Sequence, residues 1–184
     1  KGDKTIGVLS QVDSTIETPT QKDLNKIGTV ANILKMLRMP DGNITAVIQG
    51  RKRFLLNEIT VEEPYYKGSV SEINEIKPNF VNDEFEAIVS SVKDLALRII
   101  EESPNIPTEA SIAIKNIKSS SFAINFISSN MNIALVEKQN LLEEIDLKKR
   151  ADRVLDLLTK ELHMLEMKNK IQSKVQVDLD QQQK

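Results

Sequence analysis

The stretch IGTVANILKMLRMPDGNITAVIQGRKRF, residues 27–54, decides the fold. Two apolar runs, Val30 to Met39 and Ile44 to Arg53, flank Pro40-Asp41-Gly42-Asn43. Proline presets φ at the first turn position and Gly42 takes a positive φ at no steric cost, so the stretch predicts a β-hairpin. On its N-terminal side the polar segment Asp13 to Lys26 reads as a loop, preceded by alternation of Ile6, Val8 and Ser10 with Gly7, Leu9 and Gln11. On its C-terminal side Phe54 to Val61 and Val70 to Ile76 read as two more strands, with Pro64 and Gly68 interrupting ladder pairing between them. Residues 1–80 are therefore expected to form a β-rich sheet or small barrel.

From Asn82 the apolar period changes. Phe85, Ile88, Val89, Val92, Leu95, Ala96 and Ile99 recur at three- and four-residue steps, an amphipathic helix capped by Asn82 or Asp83 and ending before Pro104. Thr108 to Ile117, Ser120 to Ser129 and Ala134 to Ile145 read as shorter helices, so residues 81–145 make a helical subdomain. Asp146 then caps a pattern without Gly or Pro that reaches about Leu179, roughly 34 residues or ~50 Å at 1.5 Å per residue. A helix of that length, over 146–184, is expected to project. Leu155, Leu158, Leu162 and Leu165 keep one apolar stripe, after which Met164, Ile171, Val175 and Leu179 open a rotated one. Asp156 with Lys160 and Glu166 with Lys170 are spaced for i,i+4 ion pairs on the wet face. The fold class is α+β.

Composition narrows the function classes. With 25 Lys and Arg against 27 Asp and Glu, the chain has too small a positive field to hold a phosphate backbone. Five Phe, two Tyr and no Trp offer few stacking platforms, so nucleic acid is not an expected partner. The absence of Cys removes disulfides and thiolate metal sites and points to the cytoplasm. No apolar run reaches the ~20 residues that cross a bilayer, and no membrane role is expected. No glycine lies in a Gly-x-x-x-x-Gly-Lys-Ser/Thr frame, so no ATP site is expected in this chain. His163 reads as a surface residue, and Ser119-Ser120-Ser121 as helix caps rather than a nucleophile. No catalytic, cofactor-binding or metal constellation emerges.

Three segments together resemble the N-terminal domain of Lon ATP-dependent proteases. The first is Ile27-Gly28-Thr29-Val30-Ala31 running on through Ile33 to Met39 into Pro40-Asp41-Gly42. The second is Val47-Ile48-Gln49-Gly50-Arg51 with Phe54 following, similar to the family's strand entering a Gly-Arg turn. The third is Glu137-Lys138-Gln139-Asn140-Leu141-Leu142-Glu143, then Asp146, Arg150, Leu157-Leu158 and Glu161-Leu162, closing with Lys170 to Val175. The resemblance implies a PUA-like β subdomain, a helical bundle and a long helix leading toward an ATPase module. It also implies an opening strand and helix before the first residue, and further chain after the last. The parent it implies is a homohexameric ATP-dependent serine endopeptidase that degrades misfolded and regulatory proteins. ATP and Mg would serve its ATPase and Ser-Lys protease modules, which lie outside this chain, leaving here substrate recognition and oligomer assembly.

For such a role, Met36, Met39, Tyr65 and Tyr66 are candidates to contact unfolded or degron-bearing proteins, since flexible thioethers and amphipathic rings suit promiscuous contacts; core or hairpin packing is the competing reading. Met164, Met167, Ile171 and Val175 on the long helix are candidates for self-association or substrate contact, with intramolecular packing as the alternative. Arg38, Arg51, Lys52 and Arg53 form a basic patch, either a solvated edge that guards against aggregation or an attraction for acidic peptides. A different reading of the whole is a freestanding protein-binding adaptor that dimerises through its long helix, against which the broken apolar register argues. RNA binding rests on the PUA-like fold alone, an analogy that the acidic balance weakens.

Overall fold

The structure, a computed structural model, describes residues 4–78, 83–103, 106–107 and 109–182. Asn82, Pro104 and Thr108, invoked above as helix boundaries, lie outside the described residues. The chain divides into two compact units, Lys1–Asn74 and Glu75–Lys184. The division falls a few residues before the expected one near residue 80, and residues from 146 onward join the helical unit instead of standing apart from it.

The first unit is an antiparallel sheet in the order β1 (Thr5–Val8), β2 (Ile27–Arg38), β3 (Ile44–Val61) and β4 (Lys67–Glu72). The hairpin forms where its turn residues require it. Met39 N–H donates to the Asn43 carbonyl at 2.8 Å and Gly42 N–H to the Met39 carbonyl at 3.0 Å, with Gly42 at φ 85°. Asp41 accepts the Asn43 backbone N–H and side-chain amide, bonds that hold its carboxyl below the usual carboxylate range. Gly28 meets a different demand: a Cβ there would run into the Val8 carbonyl oxygen and lie 2.7 Å from Leu9 Cδ2, so the β1–β2 approach needs glycine. Among the described residues of this unit, the buried apolar side chains are those of Ala31, Phe54 and Leu56.

Three sequence expectations change here. Residues 44–53 and 54–61 are one continuous strand of 18 residues, not two. The expected Gly-Arg turn is a β-bulge: Val30 pairs with Lys52 and Ala31 with Gly50, leaving Arg51 as the extra residue. A second bulge leaves Leu34 extra on β2, between the pairs Ile33–Ile48 and Lys35–Val47. The strand expected to reach Ile76 ends at Glu72, and Ile76 belongs to the second unit. The polar loop holds one short 3-10 turn, Gln21–Asp23.

The second unit comprises α1 (Asp83–Glu102), α2 (Glu109–Asn116), α3 (Ser120–Asn130), α4 (Leu135–Glu143) and α5 (Leu147–Gln182). Phe85, Val89, Val92, Ala96 and Ile99 of α1 bury against Ala151, Val154, Leu158 and Leu162 of α5, with Ala123, Ile124 and Ile127 of α3 completing the core. Two caps are those the sequence indicates, those of α3 and α5, whereas α4 starts after Ala134 with no side-chain cap. Ser119 accepts from Phe122 N–H, and Asp146 Oδ1 accepts from the Lys148 and Lys149 amides at 2.9 and 3.1 Å. The entering segment is fastened by Ile76, which donates to the Ile145 carbonyl and accepts from Leu147 N–H, each at 2.9 Å. Beside it the buried Arg150 guanidinium pairs with Glu75 at 3.0 Å and donates to Asn125 Oδ1 and the Glu144 carbonyl, each at 2.7 Å. A buried cation is tolerable only when paired and hydrogen-bonded in this way.

Glu166 pairs with Arg98 of α1 at 2.9 Å and not with Lys170, so it ties the two helices together. One carboxylate of α5 is ill served: Glu161 Oε2 is buried without a hydrogen-bond partner. Burial pushes the Glu161 carboxyl above its ordinary value, opposed by the Asn132 backbone N–H and the Lys138 charge. With the folded value above the unfolded one, the folded state binds more protons between the two, and stability falls as pH rises through that window. Glu161→Gln is therefore expected to raise the melting temperature at neutral pH, with the gain vanishing below the ordinary carboxylate range. Thermal unfolding of both proteins across pH 3–8 checks this; a gain independent of pH would contradict it.

Candidate functional site

Beyond its pairing with β1, the β2–β3 ribbon runs out as two strands whose side chains, from Leu34 through Gly50, are exposed. Met36, opposite Ala46, is 61% exposed and Met39, at the turn, 43%. Around them Leu34, Leu37, Ile44, Val47 and Ile48 are also exposed. Register places Ile44, Ala46 and Ile48 on one face with Met36, and Thr45 and Val47 on the other with Lys35 and Leu37. The tip thus carries apolar side chains on both faces, more than a solvated hairpin needs.

Tyr65 and Tyr66 lie elsewhere. They sit in the turn after β3, at the far end of its 18 residues from Met36 and Met39. Lys67 Nζ stands 5.2 Å from the Tyr65 ring centroid, and the Tyr66 hydroxyl donates to the Pro19 carbonyl at 2.7 Å. The four candidates of the β unit therefore form two separate pairs. Sequence reasoning passed over Leu34, Ile44, Val47 and Ile48, which surround the methionine pair. The available signal was the absence of any charge or proline over Ile44–Gly50.

The basic patch is spread along the same ribbon. Arg38 opposes Ile44 near the turn, whereas Lys52 pairs with Glu72 at 2.9 Å. A cavity of about 320 Å³ in the β unit is lined by Gln21, Lys22, Leu24, Lys26, Leu55 and Leu56. On its lining the Gln21 side-chain amide accepts from Ile59 N–H at 2.8 Å and donates to the Asn57 carbonyl at 3.3 Å. It behaves as a one-residue substitute for a neighbouring strand.

In the helical unit the apolar stripe of α5 divides. Leu158 and Leu162 are buried and Leu155 and Leu165 partly so, whereas Met164, Met167, Ile171 and Val175 are exposed. His163 is exposed, and Ser120 and Ser121 donate to Glu86 and Glu75, which leaves no triad geometry around either. Among the described residues, no group of three His, Cys, Asp or Glu is placed to hold a metal, and no helix is long and apolar enough to cross a membrane.

Residues 1–160 match a family model described as the ATP-dependent protease La (LON) substrate-binding domain. The whole chain is 55% identical to 22% of the length of Lon protease from Flavobacterium johnsoniae. It is 45% identical to 23% of that from Cytophaga hutchinsonii, again over all its residues. It thus spans between a fifth and a quarter of the length of these relatives. Among solved structures, the N-terminal domain of Mycobacterium avium complex Lon protease superposes with TM-score 0.64 at 18% identity, over 84% of this chain and 90% of that one. A Lon N-terminal domain protein from Xanthomonas campestris gives 0.51 at 14% identity, over 83% and 88%. At such identities these two likenesses speak for the fold.

Proposed function

This chain belongs to the family of Lon substrate-binding domains, and from that premise we propose that it is the non-catalytic region of an ATP-dependent Lon serine protease that recognises substrates and assembles the oligomer. Its partners are then unfolded or degron-bearing proteins of the cytoplasm and further copies of itself, in the parent a homohexamer. ATP and Mg serve the parent's ATPase module and leave this chain's own residues to bind and orient. The observation that carries the recognition role is the exposed apolar ribbon around Met36 and Met39, a surface that folding leaves unused. One such patch binds weakly, and several copies around one pore convert weak contacts into avidity. The assembly role is supported by the exposed stripe Met164, Met167, Ile171 and Val175 on α5.

Fluorescence anisotropy of a labelled, permanently unfolded polypeptide titrated with this chain tests recognition. Saturable binding that a folded competitor fails to displace is expected, weakened about tenfold when Met36 and Met39 are both replaced by serine. Replacing Tyr65 and Tyr66 by alanine separates the second pair's contribution from the first. No binding at high concentration would contradict the recognition role. Sedimentation velocity tests assembly: concentration-dependent association that Met164→Glu with Ile171→Glu abolishes is expected, and a strict monomer would contradict it.

A further inference from the structure

We propose that the outer edge of β3, from Ile44 to Gly50, takes up an extended segment of a partner polypeptide with alternating apolar and acidic side chains, as an added β-strand. The proposal rests on the reading that this chain binds polypeptide, and it assigns the place and the mode.

The edge is open by construction of the sheet. On one side β3 is paired by β2 from Ile44 to Leu55, and on the other by β4 only from Phe54 to Val61. No other strand of the described sheet pairs with the β4 side of residues 44–53. Backbone groups alternate in direction along an antiparallel strand. Since Met39 N–H bonds the Asn43 carbonyl across the ribbon, Asn43, Thr45 and Val47 address β2. Ile44, Ala46 and Ile48 then turn their N–H and C=O groups outward. The ribbon's opposite edge is less available, because Ile33 N–H there donates to the Lys4 carbonyl at 2.7 Å.

Exposed edges are normally defended by charge, proline or a bulge. The seven residues Ile44–Gly50 contain neither a charged residue nor a proline, and the β3 bulge comes only afterwards, at Arg51. What the edge lacks, its surroundings supply with one sign. Residues 33–53 carry Lys35, Arg38, Arg51, Lys52 and Arg53 against Asp41, a net +4 that Glu72 of β4, paired with Lys52 at 2.9 Å, reduces to +3, in a chain whose total is −2. Two such ribbons brought edge to edge repel each other, which disfavours a second copy as the occupant. A partner strand alternating apolar and acidic residues fits both terms: its apolar side chains extend the face of Ile44, Ala46, Ile48 and Met36, where Arg38 stands opposite Ile44 beside the turn, and its carboxylates fall on the face of Lys35.

The test titrates the 184-residue chain into three fluorescent seven-residue peptides: alternating valine and glutamate, the same peptide N-methylated at alternate amides, and alternating valine and lysine. The first is expected to bind, and the other two at least about tenfold more weakly, since one loses the backbone donors and the other the charge match. Ala46→Pro removes an outward N–H and leaves the β2–β3 ladder intact; Ile48→Glu removes no ladder bond and sets a charge against the probe's valines. Both are expected to abolish binding with an unchanged circular dichroism spectrum and melting temperature. Equal binding of the N-methylated peptide, or binding unaffected by Ala46→Pro and Ile48→Glu, would overturn the proposal. So would a dimer that Ala46→Pro disrupts while no peptide binds. If unfolded polypeptide binds wild type and Ala46→Pro alike, the recognition role stands and the edge is not its site. If it fails to bind wild type, the recognition role fails, while the peptide series still decides the edge.

Discussion

A strand of 18 residues flanked by partners of 12 and 6 residues cannot be paired along both edges, and the β unit is organised around that shortfall. Where β2 and β4 both reach it, around Phe54 and Leu56, β3 is buried, as is Ala31 of β2 beside it. Towards the turn at Gly42 it has β2 alone, both faces are wet, and one edge is unmatched. At its other end, beyond the reach of β2, the Gln21 side chain bonds Asn57 and Ile59 as a strand would. One end of β3 is thus closed by a neighbouring loop and the other is left open.

The helical unit also uses one long element for two purposes. The first half of α5 supplies Ala151, Val154, Leu158 and Leu162 to the core, and its start is held by Asp146 and by the Arg150 network with Glu75, Asn125 and Glu144. Past Leu165 the same helix carries Met167, Ile171 and Val175 to solvent.

Much of the fold was legible because it depends on local chemistry. The turn follows from Pro40 and Gly42, the long helix from Asp146 and an uninterrupted apolar period, and the cap of α3 from Ser119. The continuity of β3 was not legible. Gly50 followed by Arg51, Lys52 and Arg53 breaks the apolar alternation as a turn would, and only pairing with Val30 and Ala31 shows that Arg51 is bulged out. The candidate site was half legible for a related reason. Residue type singled out Met36, Met39, Tyr65 and Tyr66, but their separation along β3 and the open edge beside Ile44 depend on the lengths of neighbouring strands, a non-local property. On α5 the rotated stripe was visible in the sequence, because helical periodicity alone assigns its face.

Residue-resolved amide hydrogen exchange, with and without a permanently unfolded polypeptide, reads whether the open edge of β3 is where polypeptide binds. In the free chain slow exchange is expected at Thr45 and Val47, which address β2, and fast exchange at Ile44, Ala46 and Ile48, whose N–H groups face outward. Added polypeptide should slow exchange at those three amides and leave α1 and the first half of α5 unchanged. Binding of the polypeptide without new protection at Ile44, Ala46 and Ile48, or with protection confined to the turn at Tyr65 and Tyr66, would contradict binding at that edge.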